Sequence, residues 1–216
     1  MTIQQIYTKY QIMPNLQTHM LRVAGVAQKI CEEFREPIDM QDTVSACLLH
    51  DMGNIIKFQL GRFPTFLEPE GLDFWENVKQ EYINKYGENE YEASLKIAAE
   101  IGVPQRVREL IHAIGFHQIQ EVVKENDFAK KICEYSDGRV TPFGIVSLNE
   151  RLKDLENRYS QKYPSPEDQQ RRKEYAVSAE QIERQIFAHC NIPPEEIDDE
   201  AINTRLENLR KFEIIP

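Results

Sequence analysis

Leu16, Met20, Val23, Ala27, Ile30 and Phe34 follow one another at intervals of three and four residues. That spacing lines one face of an α-helix and does not fit the two-residue alternation of a half-buried strand. Similar apolar sets recur along the chain: Val44, Cys47, Leu48 and Leu49; then Val107, Leu110, Ile111 and Ile114; then Phe128, Ile132, Cys133 and Tyr135; then Ile197, Ile202, Leu206 and Leu209. Nothing competes as a strand, Ile145-Val146-Ser147 being too short. The fold class expected is all-α. Punctuation sets the helices. Pro14 and Asn15 open the second and Glu36-Pro37 ends it. Asp39 caps a third over about 40–52. Residues 54–71, with Gly61, Pro64, Pro69 and Gly71, read as irregular. Helices follow at 72–86 (with Trp75), 89–101, from Pro104, and at 127–138. Ser147 and Glu150 make a capping box for the next. Pro164-Ser165-Pro166 precedes a charged helix over 166–190, and Pro193-Pro194 starts the last segment.

A chain of 216 residues, 41% hydrophobic and 29% charged, can bury a substantial core. Residues 1–150 hold the chemically suggestive side chains. Residues 151–216 read as a C-terminal helical extension that packs on them or forms an interface, a homodimer being one such arrangement. No run approaches a membrane span. Met1-Thr2-Ile3-Gln4-Gln5 lacks the charged start and apolar stretch of a signal peptide. The expected setting is the cytoplasm, with no membrane partner. A net charge of −10 argues against broad nucleic-acid binding. It leaves room for a small anionic substrate, because a metal or a few cations override the field locally. Cys31, Cys47, Cys133 and Cys190 contain no C-x-x-C pair and read as small packing residues. Arg171-Arg172-Lys173 reads as a solvated face.

Against this background a few polar residues stand out. His50 and Asp51 sit side by side on the last turn of the third predicted helix. His19 flanks the 16–34 stripe and points inward. Asp137 ends a mostly apolar helix, where a carboxylate wants a cation. Two imidazoles and two carboxylates form a nitrogen–oxygen set suited to a divalent ion: Mn, Fe, Co, Ni, Zn or Mg. Neighbours on a helix differ by about 100° in direction, so His50 and Asp51 share one ion only if it sits off the helix end. Gly53 then lets the chain turn away. A bound ion acidifies its water and polarises a phosphoryl oxygen, so hydrolysis of a phosphate ester or anhydride follows. Asp51 would orient or deprotonate that water. Lys57, Arg22 and Arg139 are placed to meet a phosphate. Gly115 is placed to interrupt the helix between His112 and His117; in a continuous helix the two lie about 140° apart, so at most one of them faces the site. His112 and His189 read as structural.

This pattern of a lone His19, an adjacent His50-Asp51 and a distant Asp137 resembles the HD-domain metal-dependent phosphohydrolase superfamily. The surrounding text is Thr18-His19-Met20-Leu21-Arg22-Val23-Ala24 and Leu48-Leu49-His50-Asp51-Met52-Gly53, and the spacings are 31 and 86 residues. The resemblance covers about residues 14–150. It implies an HD-domain helical bundle gripping the metal, here with extra C-terminal helices. Closest in layout are single-domain bacterial HD hydrolases acting on nucleotides, including those that cleave dinucleoside tetraphosphates. Those carry two further histidines before the last Asp and hold two metals. His117 matches the second. The first falls near Glu90-Tyr91-Glu92, which has no histidine, and Asn54 stands where many members have lysine. Both departures point away from a binuclear site and from that substrate. In the mononuclear case His117 contacts the scissile phosphate.

The leading expectation is a metal-dependent phosphohydrolase acting on a small phosphorylated molecule, a nucleotide first. One alternative is an HD-type diiron oxygenase, which needs more histidines. Another is a non-catalytic HD signalling scaffold, with the 166–190 helix free to bind a partner. The intact His-His-Asp-Asp set argues against the scaffold.

Overall fold

A computed structural model describes residues 1–115 and 117–216. Helix α1 (Ile3–Lys9) begins at a Thr2–Gln5 capping box, and α2 (Pro14–Glu33) begins on Pro14, whose fixed φ suits a first turn. Helix α3 (Met40–Leu49) is capped by the Asp39 carboxylate, which accepts from the Asp42 amide. All seven residues from Thr43 to Leu49 are buried. A helix shielded on every side belongs at the centre of a bundle. Its neighbours are α2, α6 (Gln105–Ala113) and α8 (Phe128–Asp137), and α8 also touches α2 and α6.

The stretch expected to be irregular consists of single 3-10 turns at Asn54–Lys57, Leu60–Arg62 and Pro64–Leu67. Helices α4 (Leu72–Tyr86) and α5 (Glu90–Ile101) pack over the first of them. Trp75 is buried there, and its indole N–H donates to the Leu67 carbonyl at 3.1 Å. Helix α7 (Ile119–Val122) leads into α8. A small antiparallel hairpin follows, β1 (Val140–Thr141) with β2 (Gly144–Ile145), where no strand was expected. Two-residue strands are too short for an alternating pattern to register.

The capping box Ser147–Glu150 starts α9 (Leu148–Tyr159) as expected, and α10 (Pro166–Phe187) follows. The final segment is broken into a 3-10 turn at Pro194–Glu196, α11 (Asp199–Asn203) and α12 (Leu206–Leu209). Helix α10 packs on α7, α8 and α9, while α11 and α12 pack on α2. Ile182, Ile202 and Leu209 join the same core as Met20, Leu48 and Ile132. The four cysteines are free and buried, as packing residues should be. The chain ends meet: the Ile3 amide donates to the Phe212 carbonyl at 2.9 Å, and Ile214 to Met1 at 3.0 Å. Among the described residues no helix is long and apolar enough to cross a membrane.

Candidate metal centre

The site is built on the C-terminal end of the buried helix α3. The last carbonyls of a helix have no partner within it. Here the Tyr7 hydroxyl donates to the Leu48 carbonyl at 2.8 Å, and His50 Nδ1 lies 2.8 Å from the Cys47 carbonyl. A carbonyl only accepts, so Nδ1 carries a proton and Nε2 is free to serve as a ligand. That Nε2 is buried and has no hydrogen-bond partner among the described residues. It lies 3.6 Å from both Asp51 Oδ2 and Asp137 Oδ1.

Helix α2 brings His19 to the same point. Its Nε2 is 3.1 Å from Asp137 Oδ1 and 3.5 Å from Asp51 Oδ2. The ligand atoms of His19, His50 and Asp51 all lie within 4.8 Å of one another. Asp137, the last residue of α8, adds a second carboxylate by the distances above. The His50 side chain is 3% exposed, against 18% for His19, 22% for Asp51 and 29% for Asp137, so the cluster is closed behind His50 and open in front. The C-terminal ends of α3 and α8 both meet it, and their dipoles favour positive charge.

Electrostatics agree with a cation. Burial works to lower the pKa of His50, but the Asp51 and Asp137 carboxylates overcome it and raise it to about 9. Burial works to raise Asp137, but the His19 and His50 imidazoles facing it hold it well below the usual carboxylate range. In the metal-free chain a protonated His50 therefore stands in for the cation. An unpartnered buried imidazole nitrogen, a second imidazole and two carboxylates fit a divalent ion of nitrogen–oxygen preference.

This has a measurable consequence for the metal-free protein. The raised His50 contributes stability that is complete below its ordinary value of 6.5 and is lost as pH rises through about 9. The depressed Asp137 contributes stability that is present above 3.8 and is lost as pH falls through its lower folded value. The chelated protein should thus lose melting temperature between roughly pH 6.5 and 9.5. The metal-loaded form, whose histidines must be neutral, should instead lose it on acidification. Thermal melts with and without chelator check this, and a flat metal-free profile over that window would refute it.

The other expected residues divide. Gly53 does not provide a left-handed turn, since its φ is −91°. It is needed for close approach: a Cβ there would collide with the Glu90 carbonyl and lie 2.7 Å from Ala93 Cβ and 2.9 Å from the Ser94 amide. The start of α5 is thereby pressed against the metal turn. Lys57 is exposed at that edge, 3.7 Å from Glu90. Arg22 lies one turn beyond His19 on α2, and its buried Nε has no hydrogen-bond partner among the described residues. Arg139 is a correction. It is 3% exposed, and its three guanidinium nitrogens donate to Val146, Tyr135, Pro194 and Ile197. Its two-residue distance from Asp137 suggested a phosphate contact, but Gly138 and the hairpin direct it to the C-terminal segment instead.

The interruption expected at Gly115 is present, and it decides where His112 and His117 lie. Helix α6 stops at Ala113, and Gly115, at φ 121°, folds the chain back. Both rings then meet Tyr91, His117 edge-on at 4.6 Å and His112 at 5.5 Å. Burial and the neighbouring His112 hold His117 below the usual histidine range. His189 is structural as expected, paired with Glu36 at 2.8 Å and stacked on Phe34. Sequence reasoning missed Glu134, a buried carboxylate one turn before Asp137. Burial pushes its carboxyl up to about 8, against the opposing Gly115 amide. The signal was there: a lone carboxylate within Ile132-Cys133-Glu134-Tyr135.

Comparison with protein families matches residues 16–161 to the HD domain, more than half of the chain. Comparisons with curated proteins and with solved structures give no match. The matched span contains all four residues of the cluster, so the chain belongs to the HD-domain family and is a metal-dependent phosphohydrolase.

Proposed function

We propose that the substrate is a small phosphorylated molecule of the nucleotide class, and that one divalent ion per chain serves its hydrolysis. His19, His50, Asp51 and Asp137 would hold the ion. The observation that carries this reading is the buried, unpartnered Nε2 of His50, whose other nitrogen is fixed by the Cys47 carbonyl. When bound, the ion supplies a more acidic water and a polarised phosphoryl oxygen.

The chain's own groups do the rest. Asp51, on the open side of the cluster, accepts the proton of the attacking water. His117, held neutral near pH 7, donates a ring N–H to the scissile phosphate. Arg22 offers a buried Nε that has no protein acceptor, as an arginine awaiting an anion would. Among the described residues Lys57 is held only by an exposed pair with Glu90, and it swings to a phosphate at little cost.

Elemental analysis per chain, followed by phosphate release from nucleotides and from p-nitrophenyl phosphate with added manganese, cobalt or nickel, tests the proposal. The expected result is one divalent metal and a preference for nucleotides of about tenfold or more, the worth of one good polar contact. Two irons per chain would redirect attention to an oxygenase. No metal after incubation with excess ions would leave a scaffold.

A further inference from the structure

Glu134 has a carboxylate where packing alone would ask for an apolar group. It is 3% exposed, on the face of α8 one turn from Asp137. Burying a carboxylate is costly unless specific partners offset it. It has two. The Gly115 amide donates to Glu134 Oε2 at 2.5 Å, and the buried Tyr175 of α10 hydrogen-bonds to the same carboxylate. Gly115 opens the turn that carries His117. On the other side of that turn the His117 ring stands on Tyr91, in the first turn of α5, which is pressed against Gly53.

The turn is thus held between the two helices that frame the metal cluster. We propose that Glu134 is a positioning residue for His117, and that Tyr175 of the C-terminal extension completes the hold. This rests on the reading that His117 contacts the substrate. It gives the extension a part in the reaction: α10 fixes the carboxylate that fixes the turn.

A double-mutant cycle on manganese-loaded protein tests it, with bis(p-nitrophenyl) phosphate as the probe. A misplacement of about 1 Å costs up to ~100-fold in rate, so Glu134→Ala should lower kcat by roughly 10- to 100-fold with metal stoichiometry unchanged. In a His117→Ala background the same substitution should change almost nothing, because Glu134 acts through the missing ring. Glu134→Gln keeps an oxygen for the Gly115 amide and should stay within about threefold of the parent. Should Glu134→Ala fail to fold, Tyr175→Phe replaces it in the cycle, with a smaller loss expected.

A second readout needs no substrate. In the metal-free protein, the ring resonances of His117 should move on Glu134→Ala and Tyr175→Phe, and stay put on the exposed control Glu174→Gln. Additive losses in the cycle, a Glu134→Gln variant as poor as Glu134→Ala, or an unmoved His117 resonance would each overturn the proposal alone. A His117→Ala protein that turns over at the parent rate would remove the substrate reading of His117, and this proposal with it.

Discussion

Replacing Asp137 by alanine should empty the metal centre and abolish hydrolysis while leaving helical content intact. Asp137 Oδ1 is 3.1 Å from His19 Nε2 and 3.6 Å from His50 Nε2, against 3.5 and 3.6 Å for Asp51 Oδ2, so it is the carboxylate nearer to His19 and as near to His50. Losing a residue that merely supports a ligand weakens metal binding about 10- to 100-fold. Losing a carboxylate ligand should exceed that, and no metal should survive gel filtration. The helix does not depend on the side chain. Gly138 closes α8 by donating its amide to the Glu134 and Ser136 carbonyls. Elemental analysis and circular dichroism together check the result. Unchanged metal stoichiometry would remove Asp137 from the centre.

Arg139→Ala should have the largest effect on stability and little on turnover by the folded fraction. The substitution strands the carbonyls of Val146 and Ile197, removes one of the two donors to the Pro194 carbonyl, and leaves the Tyr135 hydroxyl with Glu183. Each buried acceptor left unpaired costs about 1–3 kcal/mol, so a total of roughly 3 kcal/mol or more is expected. For a chain of this size that lowers Tm by about 6–12 °C. Arg139→Lys should not restore it, since one ammonium cannot serve acceptors arranged around a planar fork. Thermal melting decides the matter. An unchanged Tm with a raised KM would return this arginine to the substrate.

The contrast between these two residues shows what could be read from sequence. The 3–4 spacing of Leu16 to Phe34 and the run at Val44 to Leu49 specified helices, because burial imposes a period on the chain itself. His19, His50 and Asp137 could be placed because each sits in an apolar setting that polar groups otherwise avoid. Arg139 could not. Its direction depends on a two-residue hairpin and on carbonyls more than fifty positions away. Gly115 marks a candidate break between His112 and His117 in the sequence, but that both rings then meet Tyr91 depends on a neighbour from another helix. Gly53 was noticed, but its reason is a neighbour in space rather than a turn in the backbone.

The clasp between residues 1–3 and residues 212–214 bears on the order of events during synthesis. Tyr7 of helix α1 supports the Leu48 carbonyl beside the metal turn. The strand-like clasp that seats this helix, Ile3 on Phe212 and Ile214 on Met1, joins segments far apart along the chain. At about 5–20 residues per second, some 10–40 s separate the synthesis of the two. Through that interval the HD turn exists without this brace, and the centre reaches its finished rigidity only when residues 212–214 arrive.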